Sequence, residues 1–203
     1  MGALIQQLIR DSELRMYHDY RSGSFRDWSG NNNDGTPTSI DWGGGGVRFP
    51  ATTSKITVSD NTGLRLTQGA AIILMDVVSQ TTTEQLISKR DFGGTNYDFY
   101  MQADGLRVYD GAAVSSKNGL TLRGHKGLAV SFNNGAVPQF YVDGLYVGDG
   151  DSANTITADN ADLLIGNFAL NNNNVESVVK AALVVNRVLT AAEHAQLFGE
   201  LLK

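Results

Sequence analysis

At 203 residues, with a formal net charge of −5 and 18% charged residues, the chain has room for one all-β sandwich with a sizeable core. That balance gives it no basic footprint for nucleic acid or for an anionic membrane. Zero cysteines exclude disulfides, thiol catalysis and thiolate metal sites, and leave the redox compartment open.

The apolar residues Leu4, Ile5, Leu8 and Ile9 fall on one face of a short helix, and residues 1–13 are expected to form a helical arm ahead of the domain at 14–203. About ten residues do not make a stable helix alone, so the stripe must be buried. Two places are open to it: the chain's own sandwich, or a neighbouring subunit in a homo-oligomer or capsid. Arg10 and Asp11 interrupt the apolar start before a secretion signal could form, and no apolar run approaches the roughly eighteen residues of a membrane span. Cytoplasmic synthesis is expected, with a virion as one destination, or secretion where a signal has been removed.

Glu13 to Asp19 alternates like a half-buried first strand, in which His18 is packed or at an edge. It runs into Phe25 to Pro37, where Ser29 to Gly35 is unbroken turn chemistry. Gly43 to Gly46 is a flexible turn, with no Lys-Ser/Thr pair to make it a phosphate cradle. Short strands are then predicted at Val47–Phe49, 55–58, 70–78, 85–89, 97–102, 105–109, 120–122, 128–132, 139–142, 146–147, 163–165 and 178–185. Asp104-Gly105, Asp110-Gly111, Asn118-Gly119, Asn134-Gly135, Asp143-Gly144 and Asp149-Gly150 supply hairpin turns. Many short strands with such punctuation mean an antiparallel sandwich or barrel. Asn171 to Asn174 is expected to be a loop. Thr190-Ala191-Ala192-Glu193 is a capping box opening a final helix with Leu197, Phe198, Leu201 and Leu202 on its apolar face and His194 toward solvent.

The oxygen-rich loop is either a self-bonded corner or a cage for a hard cation. Asp27, Asn31, Asn33 and Asp34 offer side-chain oxygens, Ser29, Gly30 and Gly35 can add carbonyls, and calcium is the one cofactor this supports. A glycan site would want aromatic faces beside amides, for which Trp28, Trp42 and Tyr97 with Asn171 and Asn172 are candidates, and Tyr20, Tyr109 and Asn96 further ones. No G-x-S-x-G and no H-x-x-x-H occurs, and the histidines stand far apart at 18, 125 and 194, so neither a serine triad nor a zinc site is expected.

Asp27-x-Ser29-Gly30-Asn31-x-Asn33-x-Gly35-Thr36 resembles the hallmark of laminin-G-like (pentraxin-like) domains of the concanavalin A-like lectin/glucanase superfamily. Ile87-Ser88-Lys89 with Tyr97 to Tyr100, Ala129 to Phe132 with Phe140 to Gly144, and Asn186 to Glu193 follow in the family's order, from about Leu14 to the end. The resemblance implies an all-β, two-sheet antiparallel jelly-roll sandwich with short N-terminal and C-terminal helices, and a framework role for His125. It also implies calcium held by the loop with a carboxylate near the final strand, but Lys180-Ala181-Ala182 stands where the family shows acids. The Glu-x-Asp-x-Glu strand of the superfamily's glucanases is absent, so no enzyme is expected. The expected function is a non-catalytic recognition module for glycan or protein surfaces. The alternative is a virion structural protein, a phage capsid decoration or surface protein, with the sandwich as assembly block.

Overall fold

The computed structural model describes residues 1–78, 83–89, 96–158, 160–166 and 177–203. Helix α1 (Ala3–Arg10) opens the chain and helix α2 (Ala191–Leu201) closes it. Between them lie β1 (Leu14–Asp19), β2 (Thr36–Thr38), β3 (Asp41–Gly43), β4 (Gly46–Arg48), β5 (Lys55–Val58), β6 (Gln68–Val77), β7 (Thr83–Ser88) and β8 (Asp98–Gln102). The remainder are β9 (Gly105–Tyr109), β10 (Val114–Lys117), β11 (Gly124–Asn133), β12 (Gln139–Val142), β13 (Leu145–Asp149), β14 (Leu163–Ile165) and β15 (Val178–Val185). They form an antiparallel two-sheet sandwich. An eight-stranded sheet runs β13-β12-β11-β6-β15-β4-β3 with β1 also paired to β15, and a seven-stranded sheet runs β10-β9-β8-β7-β14-β5-β2. No described helix is long and apolar enough to cross a membrane.

Two hydrophobic layers result, and β6 serves both. Ala71, Ile73, Met75 and Val77 point into the core between the sheets, whereas Ala70, Ile72 and Leu74 point into a second core under the helices. Alternate residues of a strand face opposite ways, so a strand covered on both faces reads as a continuous apolar run. Strand β15 repeats the pattern with Ala182 and Val184 inward and Ala181, Leu183 and Val185 toward the helices.

Leu4, Ile5 and Leu8 of α1 are buried in that second core with Leu197 and Leu201 of α2. They are spent on the chain's own fold and are not held out as a docking stripe. Helix α1 has no side-chain cap of its own; Glu200 of α2 accepts from the backbone N–H groups of Leu4 and Ile5 at 2.8 and 3.1 Å. A carboxylate there complements the helix dipole. Burial works against ionising Glu200, but those bonds and the Gln196 amide outweigh it and hold its carboxyl below the usual range. The capping box of α2 forms, with the Glu193 N–H donating to Thr190 Oγ1 at 3.3 Å and the Thr190 N–H to Glu193 Oε2 at 2.8 Å. Arg187 then ties Glu193 to Glu13 at the start of β1.

Helix α2 lies close on the sheet because the residues beneath it are small. A Cβ on Gly127 would come 2.3 Å from the Phe198 ring, and one on Gly144 would come 2.7 Å from the Ala195 Cα. Gly144 also ends the β12–β13 hairpin, where Asp143 and Gly144 have φ of 54° and 77°, the turn their dipeptide calls for.

Three strands escape the sequence pattern: β2, β3 and β10 are short edge pieces without an alternating apolar face, the first two largely exposed and β10 with a polar residue, Ser115, as its buried one. Conversely, Leu120 to Leu122, predicted as a strand, joins no ladder; Leu122 is buried in the core and Leu120 is held by its N–H to the Asp104 carbonyl.

Candidate functional site

The loop after β1 folds as a corner around Asp27, which is 5% exposed. Its Oδ1 accepts from the Tyr17 and Ser29 N–H groups, each at 2.9 Å, and its Oδ2 from Ser29 Oγ at 2.8 Å and the Asn33 N–H at 2.9 Å. A carboxylate has about four lone-pair positions, and donors occupy all of them. Asn31 and Asn33 turn their amide N–H groups to the carbonyls of Leu14 and Arg15, at 2.7 and 2.6 Å, beside the β1 bulge between Leu14 and Met16. Asn33 Oδ1 accepts from Asn61, and Asp34 Oδ1 accepts from the Asp27 N–H at 2.7 Å. The Asp27 carboxylate, Asn33 Oδ1 and Asp34 Oδ1 already face donors, and the two asparagine amides present hydrogens to main-chain carbonyls, which is the arrangement of a self-bonded corner and does not suit a calcium cage. His18 completes the corner, fully buried, with Nε2 2.7 Å from the Asn33 carbonyl and Nδ1 3.0 Å from the Tyr20 hydroxyl. Burial pushes its pKa down.

The expected ligand-binding residues are dispersed. Trp28 is 38% exposed with the Arg26 guanidinium 4.9 Å from its ring centroid. Trp42 is 46% exposed and leans on Phe25, which continues inward to Tyr20. Tyr97 is different. It is 1% exposed and stacks on Phe132 in the core at 4.9 Å, so it presents no face to a sugar. Asn171 and Asn172 lie outside the described residues. His194, expected at the surface, is 3% exposed, since α2 settles it on the Tyr141 ring at 3.8 Å with Nε2 2.9 Å from Ser131 Oγ. Burial lowers its pKa to about 4. This serine–histidine pair is a packing device: Ser131 is 2% exposed and also accepts from the Leu189 N–H.

A further cluster emerges on the outer face of the seven-stranded sheet. Phe99, Met101, Leu106 and Val108 fill the inter-sheet core, so Asp98, Tyr100, Gln102, Arg107 and Tyr109 face out. A bulge between Gln85 and Ile87 sends both Leu86 and Ile87 inward and leaves Gln85 and Ser88 outward. Register then builds two rungs: Gln85, Tyr100, Arg107 and Ser116, and Ser88, Asp98, Tyr109 and Val114. Tyr100, Arg107 and Tyr109 are half-buried. Gln85 Oε1, Ser88 Oγ and Arg107 Nε are buried with no hydrogen-bond partner among the described residues. Buried polar atoms are nearly always paired, so three of them together without a partner among the described residues make this cluster the candidate site. The alternation of Asp98 to Gln102 tells which residues face out. Only the pairing of β7, β8 and β9 shows that they meet.

No protein-family model matches the chain, and no curated protein matches it by sequence. Solved structures do match in fold. Domain 4 of AbnA, an extracellular GH43 arabinanase from Geobacillus stearothermophilus solved with arabinotriose, aligns with TM-score 0.71 at 16% identity over 91% of this chain and 98% of its own. Trypanosoma rangeli sialidase with sialic acid aligns with TM-score 0.71 at 15% identity, over 92% of this chain and 33% of the sialidase. Botulinum neurotoxin type C, whose cell entry depends on interaction with two ganglioside molecules, aligns with TM-score 0.71 at 12% identity, over 97% of this chain and 53% of that one. The likeness is one of fold, the two-sheet sandwich, and this chain spans a whole domain of the first but a third and a half of the others.

Proposed function

We propose that the chain is a non-catalytic recognition module, lectin-like in the manner of concanavalin A-like, laminin-G-like domains, that binds glycans on the outer face of the seven-stranded sheet. The observation that carries this reading is the pair of rungs, in which half-buried Tyr100 and Tyr109 flank Gln85 Oε1, Ser88 Oγ and Arg107 Nε, three buried atoms with no hydrogen-bond partner among the described residues. Aromatic rings offer a stacking surface for sugar C–H groups, and open amide, hydroxyl and guanidinium groups meet hydroxyls. Hydrolysis by paired carboxyls needs two acids about 5 Å apart, and these rungs contain one, Asp98. The fold's neighbours support a glycan reading, since one was solved with arabinotriose, another with sialic acid, and a third acts through gangliosides.

The test is a broad glycan array probed with the full chain and with Tyr100→Ala and Arg107→Ala. The parent is expected to give a reproducible saccharide signal that each variant lowers at least tenfold at unchanged melting temperature. A flat array for the parent, or signals that both variants retain, counts against the reading.

A further inference from the structure

A second feature lies on the opposite sheet, at the edge formed by β12 and β13. A cleft of about 480 Å³ opens there between Gln139, Tyr141 and Tyr146 on one side and Val188, Leu189 and Thr190 on the other. That volume falls within the roughly 300–1,000 Å³ of small-molecule sites. A bulge between Phe140 and Tyr141 in the β12–β13 register brings Tyr146 opposite Tyr141. Tyr146 is 47% exposed, and its ring meets Tyr141 edge-on at 5.7 Å and 60°. Tyr141 is itself fixed from behind by the His194 ring.

Polar groups ring the exposed tyrosine. The Tyr141 hydroxyl donates to Gln139 Oε1 at 3.3 Å, and Gln139 Nε2 donates to Asp149 Oδ1 at 3.4 Å. Asp149 also stands beside the Tyr146 hydroxyl and raises its pKa. The far wall is apolar, with Val188 39% exposed. No lining residue of the cleft carries a positive charge. The nearest arginine in sequence, Arg187, is engaged by Glu13 and Glu193.

We infer that this cleft is a second, separate saccharide site that takes an uncharged sugar ring, stacked on Tyr146 with its hydroxyls on Asp149 and Gln139. An aromatic face beside one carboxylate and one amide suits a ring that is apolar on its face and rich in hydroxyls at its edge. A carboxylated sugar would meet Asp149 with no cation among the residues that line the cleft to offset the repulsion; the Lys117 ammonium lies beyond it, against Gly148. The site goes beyond the sheet-face reading, because the two surfaces belong to different sheets and share no residue.

The experiment is an amide-resolved NMR titration of the full-length chain with maltotriose, arabinotriose and N,N′,N″-triacetylchitotriose, and separately with tetramethylammonium. At least one trisaccharide is expected to shift the amides of 139–141 and 145–149. Tyr146→Ala should weaken that titration tenfold or more, Tyr146→Phe should retain it, and Tyr100→Ala should leave it unchanged. Tyr146 is half-exposed, so the variant is expected to fold, which an unchanged melting curve checks. Silence of the cleft amides with all three sugars overturns the proposal. So do shifts that survive Tyr146→Ala, and so does a response to tetramethylammonium alone. Shifts at the amides of Tyr100 and Arg107 report the sheet face independently, so either site can fail without the other.

Discussion

The two outer faces of the sandwich are built from the same strand alternation and put to opposite uses. On the eight-stranded sheet the outward residues are Ala70, Ile72, Leu74, Ala129, Ala181 and Leu183, small or aliphatic, and two helices cover them. On the seven-stranded sheet they are Gln85, Ser88, Asp98, Tyr100, Arg107 and Tyr109. The first face contributes stability through removal of apolar area from water, whereas on the second Gln85 Oε1, Ser88 Oγ and Arg107 Nε have no hydrogen-bond partner among the described residues. A face that binds is expected to be the less optimised one for stability.

The comparison breaks most readily under the helices. Leu8→Ala, at a fully buried position, is expected to cost about 4 kcal/mol, near 10 °C in melting temperature for a domain of this size. A shift of only one or two degrees would mean that α1 is not integral to the fold. The Asp27 corner belongs to neither face and should cost about 3 kcal/mol on Asp27→Ala, because four donors lose a charged acceptor. Thermal melts should show the same loss in calcium and in chelator; a loss seen only with calcium present would restore the cage.

The helix-covered face also carries a pH signature. His194 titrates at about 4 in the fold against 6.5 in the unfolded chain, because burial disfavours its charged form and outweighs the pull of Glu193. Between those values the unfolded state binds the extra proton, so stability is complete above about 6.5 and falls by up to about 3 kcal/mol as pH drops to 4. Below about 4.5 the loss continues, since the Arg187 guanidinium holds the Glu193 carboxyl at about 2. Denaturant midpoints for His194→Gln should fall less steeply than the parent's between pH 6.5 and 4.5, the remaining slope coming from buried His18; a slope equal to the parent's would assign the effect elsewhere.

Smaller effects sharpen the contrast. Glu200→Ala removes the cap that α2 supplies to α1 and should cost about 1 kcal/mol, read as faster hydrogen exchange at Leu4 and Ile5 with the sheet amides unchanged. Tyr100→Ala on the outer face of the seven-stranded sheet, at a half-buried position, should cost no more than about 1 kcal/mol. A larger loss would make that face structural rather than available.

Much of the architecture was legible because it rests on local chemistry. Alternation placed β1, β5, β9, β12, β14 and β15 within a residue or so, and the capping box marked the start of α2. The N-terminal stripe announced a buried face, but its amphipathic pattern is the same whether the cover is the chain itself or another molecule. Edge strands β2, β3 and β10 were illegible, as an exposed strand needs no apolar alternation and β10 buries a serine rather than an apolar residue. His194 was misplaced because a polar residue in the first turn of a helix reads as exposed until the sheet beneath it, with Ser131 and Tyr141, is known.

The candidate sites divide along the same line. Sequence alone determined the strand periodicity, the turn dipeptides, the lack of a Glu-x-Asp-x-Glu strand and the oxygen-rich loop, all properties of residues near in the chain. Tertiary structure alone decided that Asp27 serves backbone donors, that Tyr97 is core, and that Gln85, Tyr100 and Arg107 share a rung. The reason is physical: a side chain's chemistry is set by what neutralises or completes it. Here the completing groups come from strands joined by register, which periodicity does not encode.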